Sequence, residues 1–378
     1  MPDQNSRISI CALVPYPPDT TPSQRYRIEQ WLPGLRAQGI AVDLFPFADQ
    51  QMMRYLHKPG HGAAKAVAGM KRFARRFWDL AVLPRYDAVI IHRAAAIGGP
   101  AIVERLITLR RRPVIFDFDD AIFLLHTSEA NKRFGWMKFP GKTAAICRLS
   151  AHVVTGNSYL AEYAGRYNPR VSIIPSSVDT ALYKPEKRAS NPRVVLGWMG
   201  SSTSQSHLEM FAPVLREALA GRAVELRVVS DRKPLLPGLD FTWRRWSAET
   251  EVKELAQFDI GIMPMPDDRW ARGKCAMKAL LYMSMGVATI CSAVGANREL
   301  IRHGENGLLA STGEEWVGAL KSLFDDPSLR DELGKAGHRT LEEHYSTERC
   351  AGLFASVIRQ TVEQSQASIS HLPAAEIE

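Results

Sequence analysis

The run Asp117-Phe118-Asp119-Asp120 sets three carboxylates directly after the apolar segment 113–116. If that segment is a strand that continues, Asp117 and Asp119 point to one face and Asp120 begins the turn. Hard oxygen ligands so close together suit magnesium or manganese on a substrate's phosphates. One carboxylate could instead accept a proton or stabilise positive charge at a reacting centre, or merely cap the next helix. His92, after Val89-Ile90-Ile91, also ends a strand-like run, where it is either a base or a satisfied structural residue.

Three further turns combine small residues with charge. Gly197-Trp198-Met199-Gly200-Ser201-Ser202-Thr203-Ser204 joins a strand to a helix, so its amides and hydroxyls could hold a phosphate or simply form an N-cap. It is neither a Walker loop nor a full GxGxxG. Arg272-Gly273-Lys274-Cys275-Ala276-Met277-Lys278 opens another helix with two lysines four apart. Cations on one face near a helix's positive end are disfavoured unless an anion offsets them. A bound diphosphate would do so; two solvated surface lysines are the other reading. In Val294-Gly295-Ala296-Asn297-Arg298-Glu299, Gly295 would let amides face a ligand and Glu299 could reach sugar hydroxyls, or Asn297 and Glu299 only start a helix. No Ser/His/Asp order or HExxH motif stands out, so protease and esterase readings lack support.

The elements that must position these groups alternate strand and helix. Apolar runs at 8–15, 40–47, 87–93, 113–118, 153–155 and 171–175 are separated by helical patterns, including one over 24–38 that stops at Gly39. Strand, helix, strand with short joints is the signature of parallel βαβ units. A polar, proline-bounded stretch at 185–192 reads as a linker, after which the alternation resumes over 193–345. A chain of 378 residues exceeds what one core usually serves. The reading is therefore α/β with two doubly wound domains, 1–184 and 193–345, a helix over 346–363, and a tail at 364–378. Ligands in such sheets bind outside the carboxyl ends of the strands.

Composition is ordinary for a globular protein, with 46% hydrophobic and 23% charged residues, which excludes global disorder and fibrous repeats. The net charge of +8 favours acidic partners without choosing among them. No aromatic-studded basic sheet or recognition-helix motif supports nucleic-acid binding. Five scattered cysteines without CxxC pairs suit a reducing cytosol and not zinc. With no signal-like or membrane-spanning segment, a cytoplasmic location is expected. In the basic stretch 65–85, Val67, Met70, Ala74, Phe77 and Ala81 fall at helical spacing, with Lys71, Arg72, Arg75 and Arg76 largely off that line and Trp78 beside it. Such a helix could lie on an anionic membrane surface, but the ordinary expectation is that its apolar line packs inward and its arginines face water.

In order along the chain, Ser23-Gln24-Arg25-Tyr26-Arg27-Ile28, Asn157-Ser158-Tyr159-Leu160, Ile174-Pro175-Ser176-Ser177-Val178-Asp179, Asp259-Ile260-Gly261-Ile262-Met263-Pro264, Tyr282-Met283-Ser284-Met285-Gly286, the turn 294–299 and His303-Gly304-Glu305-Asn306-Gly307-Leu308-Leu309 resemble the retaining family 4 glycosyltransferases of the GT-B fold. The resemblance implies transfer of a sugar from a nucleotide diphosphate sugar, UDP- or GDP-linked, with retained configuration and no obligatory metal. It places the donor mainly on the second domain, with a saccharide or lipid-linked acceptor on the first, and returns the last helix to the first domain. It also gives weight to a peripheral site on the inner face of the membrane.

The departures from the family matter. Its two glutamates, eight apart, correspond to Gly273 and Leu281, and the usual Arg and Lys after the second domain's opening glycine give way to Ser201 and its neighbours. Lys274 and Lys278 stand as substitutes. The family's first-domain histidine is replaced by the acidic cluster, its role falling to Asp119. The expected catalytic groups are thus Asp119, Asp117 and His92. The expected donor contacts are Gly200, Ser201, Ser202, Arg272, Lys274, Lys278, Gly295, Ala296, Asn297 and Glu299, with Arg25 and Arg27 for the acceptor. The missing glutamates leave a second reading, an inactive relative that binds nucleotide sugar as a sensor or partner subunit.

Overall fold

The computed structural model describes residues 8–56, 62–124, 139, 141–185 and 193–370. It contains two compact units, residues 1–175 with 348–378, and residues 176–347. Most of the linker read at 185–192, and the last residues of the tail, lie outside the described residues.

The first unit holds a parallel sheet of β1 (Ile8–Val14), β2 (Ile40–Pro46), β3 (Ala88–His92), β4 (Val114–Phe118), β5 (His152–Thr155) and β6 (Val171–Ile173), in the order β2-β1-β3-β4-β5-β6. Every residue of β3, β4 and β5 is buried, which is why these strands read as unbroken apolar runs and not as alternating ones. The second unit repeats the plan with β7 (Val194–Gly200), β8 (Val224–Ser230), β9 (Thr242–Arg245), β10 (Ile260–Met263), β11 (Ala288–Ser292) and β12 (Leu308–Ala310), ordered β12-β11-β10-β7-β8-β9. Strand order reverses between β1 and β3 in one sheet and between β7 and β10 in the other. In doubly wound sheets that reversal opens a crevice at the carboxyl ends of the two strands.

The helical pattern expected over 24–38 is broken. Helix Pro22–Arg27 passes through a short 3-10 turn, Glu29–Trp31, into helix Leu32–Ala37, because Pro33 has no amide proton to continue the ladder. The final helix runs to Ser370, Thr347–Ser370, past the end expected near 363. It packs on the first unit: the Phe354 and Trp31 rings lie 5.1 Å apart, and Arg359 donates to the carbonyl of Gln38. Gly34 permits the approach, since a Cβ there would fall 2.9 Å from that of Ala351.

Helix Gly62–Val82 reverses the expected orientation. Its apolar line, Val67, Met70, Ala74 and Phe77 with Ala81, is exposed, whereas Arg76 is buried. Arg76 Nη2 donates to the carbonyls of Phe45 at 3.0 Å and Val14 at 3.4 Å, and Nη1 meets Asp79 at 3.2 Å. Arg72 pairs with Asp49, and Phe73 stacks edge-on to Phe47. The carboxyl ends of β1 and β2 expose carbonyls that need donors, and an arginine supplies them where an aliphatic side chain cannot.

Replacing Trp31 by alanine removes a fully buried ring and the surface on which the last helix docks. The expected loss is about 3–5 kcal/mol of unfolding free energy, measured by urea denaturation; a loss below about 1 kcal/mol would contradict this packing.

Candidate functional site

In the second unit, β7 and β10 pair only through Leu196 with Ile260 and Gly197 with Gly261. A Cβ on Gly197 would overlap the Phe258 ring and one on Gly261 the Tyr282 ring, so the glycines let both aromatic rings lie directly on the strands. Beyond these pairs Tyr282 joins the strands: its Oη accepts from the Met199 amide at 2.9 Å and donates to the Ile262 carbonyl at 3.3 Å. The hydroxyl thus satisfies two main-chain groups where the strands stop pairing with each other.

Tyr282 lies on helix Met277–Ser284, and Lys278 is one turn earlier on the same face. The Lys278 ammonium stands 5.5 Å over the Trp198 ring, and Lys274 stands 4.7 Å over Trp270. Gly200 makes room for both groups, since a Cβ there would come within 2.5 Å of the Trp198 ring and 2.8 Å of Lys278 Cε. Burial, with repulsion from Lys274, pushes the Lys278 pKa down from its ordinary 10.5 to about 8. Among the described residues Lys278 has no carboxylate in an ion pair. The helix starts at Ala276, a left-handed residue at φ 54° that gives no side-chain cap. Backbone held in that region by a non-glycine residue carries strain. Uncapped amides and two ammonium groups together make this helix start electropositive.

The turn after β11 packs on the same segment. Gly295 has φ 51°, and a Cβ there would lie 2.6 Å from the Arg272 carbonyl oxygen. Ser292 Oγ accepts from the Met265 amide at 2.8 Å. Asn297, fully buried, donates from Nδ2 to the Ser292 carbonyl at 2.9 Å, while its Oδ1 is buried without a partner. Ala296 is buried beside it and Glu299 is exposed. The structure therefore brings Gly200, Lys274, Lys278 and the Gly295 turn into one neighbourhood.

Other expected donor contacts are engaged elsewhere. The amide and hydroxyl of Ser202 both donate to Asp231, at 2.6 and 2.8 Å. A carboxylate thus already meets the start of helix Ser202–Met210, the place the sequence offers to a phosphate. Ser201 bonds to Thr203, and Arg272 reaches Asp267 through two bonds of 2.6 and 3.1 Å on the surface. Gly273 and Leu281 are buried. A separate 710 Å³ cavity, lined in part by Arg193, Arg216 and Thr242, lies at the amino ends of β7, β8 and β9, away from the strand ends described above.

In the first unit the carboxyl ends of β3 and β4 carry a charged network. Asp117, with no exposed surface, receives Arg27 Nη2 at 2.5 Å and Nε at 3.1 Å, and meets His92 Nδ1 at 2.7 Å. Arg27, read as an acceptor contact, is itself buried; its Nη1 donates to the Ile174 carbonyl at 2.6 Å. Arg27 thus holds Asp117, which in turn holds His92. Arg25 donates to the Tyr26 hydroxyl at 2.8 Å. His92 Nε2 lies 3.2 Å from the Ser23 hydroxyl, which donates to Asp119 at 2.8 Å. Arg93, another left-handed residue at φ 60°, binds Asp119 at 2.8 Å and pairs with Asp120.

Burial works to raise the Asp119 pKa, but Arg93, His92 and Arg27 outweigh it and hold the carboxyl well below the usual range. Asp119 keeps a small exposed surface; His92 and Asp117 keep none. Ser23 and Arg93 are partners that sequence reasoning did not assign to the site. The separations of 69 and 96 residues between Ser23 and its partners left no local signal for them. Among the described residues no group of His, Cys, Asp and Glu side chains forms a metal-binding cluster.

Residues 193–326 match the family model "Glycosyl transferases group 1". The chain is 24% identical over 218 residues to D-inositol 3-phosphate glycosyltransferase of Pseudarthrobacter chlorophenolicus, a match covering 50% of each chain. It is 26% identical over 223 residues to the protein of the same name from Acidothermus cellulolyticus, covering 50% of this chain and 48% of that one. It thus spans about half the length of the curated relatives it matches. Sucrose-phosphate synthase from Thermosynechococcus elongatus has a similar fold, with TM-score 0.68 at 15% identity over 94% of this chain and 99% of that one. Anabaena HepE, in complex with UDP and glucose, gives TM-score 0.64 at 14% identity over 93% and 100%. The fold is that of these GT-B glycosyltransferase structures.

Two substitutions test the second-unit site. Tyr282→Phe leaves the Met199 amide and Ile262 carbonyl without the hydroxyl, with an expected loss of about 1–3 kcal/mol in chemical denaturation. Lys278→Met should stabilise the ligand-free protein at pH 7 by about 1–3 kcal/mol, because a desolvated charge is removed. With a folded pKa near 8 and an ordinary value of 10.5, the unfolded chain binds more protons in that interval. Wild-type stability therefore gains on the variant as pH rises from 8 to 10, and a difference that stays constant with pH would contradict the desolvation.

Proposed function

We propose that the chain is a retaining glycosyltransferase that moves a sugar from a UDP- or GDP-linked donor to a saccharide or lipid-linked acceptor in the making of a cell-surface polysaccharide or glycolipid. The observation that carries the donor assignment is Lys278, an ammonium lowered to about 8 by burial and by Lys274, beside an uncapped helix start. A diphosphate supplies the missing counter-charge. As the sugar–phosphate bond breaks, negative charge grows on the leaving diphosphate. Lys278, Lys274 and the amides of helix Met277–Ser284 and the Gly295 turn stabilise that charge more in the transition state than in the ground state.

Retention is supported by what the first unit offers as a base. His92 and Asp117 have no exposed surface, and Asp119 is held well below the usual carboxylate range, which makes it a poor proton acceptor. The departing phosphate oxygen is the better one. It leaves from the face of the sugar on which the acceptor then bonds, and configuration is kept. Asp119, ionised at physiological pH, is suited to stabilising positive charge at the anomeric carbon. The resemblance to family 4 enzymes implies retention, and the relatives' names support only a glycosyltransferase.

Calorimetry with UDP and GDP in buffers of different ionisation enthalpy tests the donor site. One nucleotide should bind with proton uptake near pH 8.5, and its affinity should fall as pH rises through 8 and drop by at least about tenfold in Lys278→Met. Equal binding by the variant would overturn the assignment. Donor binding without turnover across a panel of UDP- and GDP-sugars would favour the inactive, sugar-nucleotide-binding relative, and a product of inverted anomeric configuration by NMR would refute retention.

A further inference from the structure

We infer that helix Gly62–Val82 is a docking surface for an anionic lipid bilayer. The observation is its inverted orientation. A surface helix of an α/β domain normally turns its apolar stripe to the core. Here Val67 is 48% exposed, Met70 65%, Phe77 46% and Trp78 76%. The inward face carries Phe73 against Phe47, buried Leu80, and Arg76, which binds the carbonyl ends of β1 and β2 and Asp79.

Charge selects the occupant. The helix has five basic residues and one acid, and that acid, Asp79, is buried between Arg76 and Arg75, each at 3.2 Å. Lys71 and Arg75 are exposed beside the apolar line. The neighbouring helix Ile102–Thr108 packs against this one and adds exposed Ile102, 55%, and Arg105, and the turn after it adds exposed Leu109, 74%, Arg110 and Arg111. Its acid, Glu104, is buried against Lys142. Exposed apolar groups interleaved with cations, with the acids turned inward, match a surface of acyl chains beneath anionic headgroups. An indole at the outermost position suits the boundary between them. A contact with a second copy of this chain would set the cations of one copy against those of the other. No helix of the described residues is long and apolar enough to cross a membrane, so the contact is peripheral. The inference is independent of the donor site, because it is read without any nucleotide.

The full chain is sedimented with vesicles of phosphatidylcholine, alone or with about 30% phosphatidylglycerol, in the absence of nucleotide. Wild type should sediment with the anionic vesicles, remain free of the neutral ones, and be released by about 1 M salt. Met70→Ser/Trp78→Ser should keep its melting temperature, since both side chains are exposed, and lose at least about tenfold in partitioning. Lys71→Gln/Arg75→Gln should also weaken binding. As a second readout, lipids brominated on their acyl chains should quench the fluorescence that Trp78→Phe removes. Wild type that stays in solution with anionic vesicles, a Ser/Ser variant that sediments like wild type, or a dimer dissolved by those substitutions without vesicle binding would each overturn the proposal.

Discussion

The second unit is organised around the place where β7 and β10 stop pairing. Two glycines allow aromatic rings onto the strands, and one of those rings, Tyr282, satisfies an amide of β7 and a carbonyl of β10 with a single hydroxyl. Because Tyr282 is fixed in this way, the turn of helix before it is fixed too. That places Lys278 over Trp198 and against Gly200, in a setting where its charge is poorly solvated. The geometry is thus set by neutral packing, and the half-buried ammonium is held over an aromatic ring with its pKa lowered.

The first unit reaches the opposite electrostatic result by similar means. Its strand ends gather aspartates, and arginines from separate segments lower the pKa of Asp117 and Asp119. Arg27 and Asp117 form a buried pair that fixes the equally buried His92, whereas Arg93 and Ser23 hold Asp119 near the surface. Breaking a buried pair of this kind leaves an uncompensated charge and is strongly destabilising, which separates residues that position from residues that can touch a substrate.

The sequence carried much of the architecture. Parallel strands buried on both faces read as continuous apolar runs, and Lys274 and Lys278 were visibly four apart at a helix start. Other features depended on distant partners and had no local trace. The capture of Ser202 by Asp231 spans 29 residues, and the Ser23, His92 and Asp117 chain draws on three separate segments. Pro33 stood in plain view, yet the helical periodicity around it suggested one helix instead of two. For helix Gly62–Val82 the pattern revealed two faces without saying which turns inward. That choice rested on carbonyls at the ends of β1 and β2, which need donors that Arg76 provides.

The most direct test of this account is the ionisation of Lys278 itself, followed by NMR of a protein with isotopically labelled lysine side chains, free and saturated with nucleotide diphosphate. The account predicts a free-state pKa near 8 that returns toward the ordinary lysine value when the diphosphate binds. A free-state value near 10.5 that does not move on adding nucleotide would contradict it.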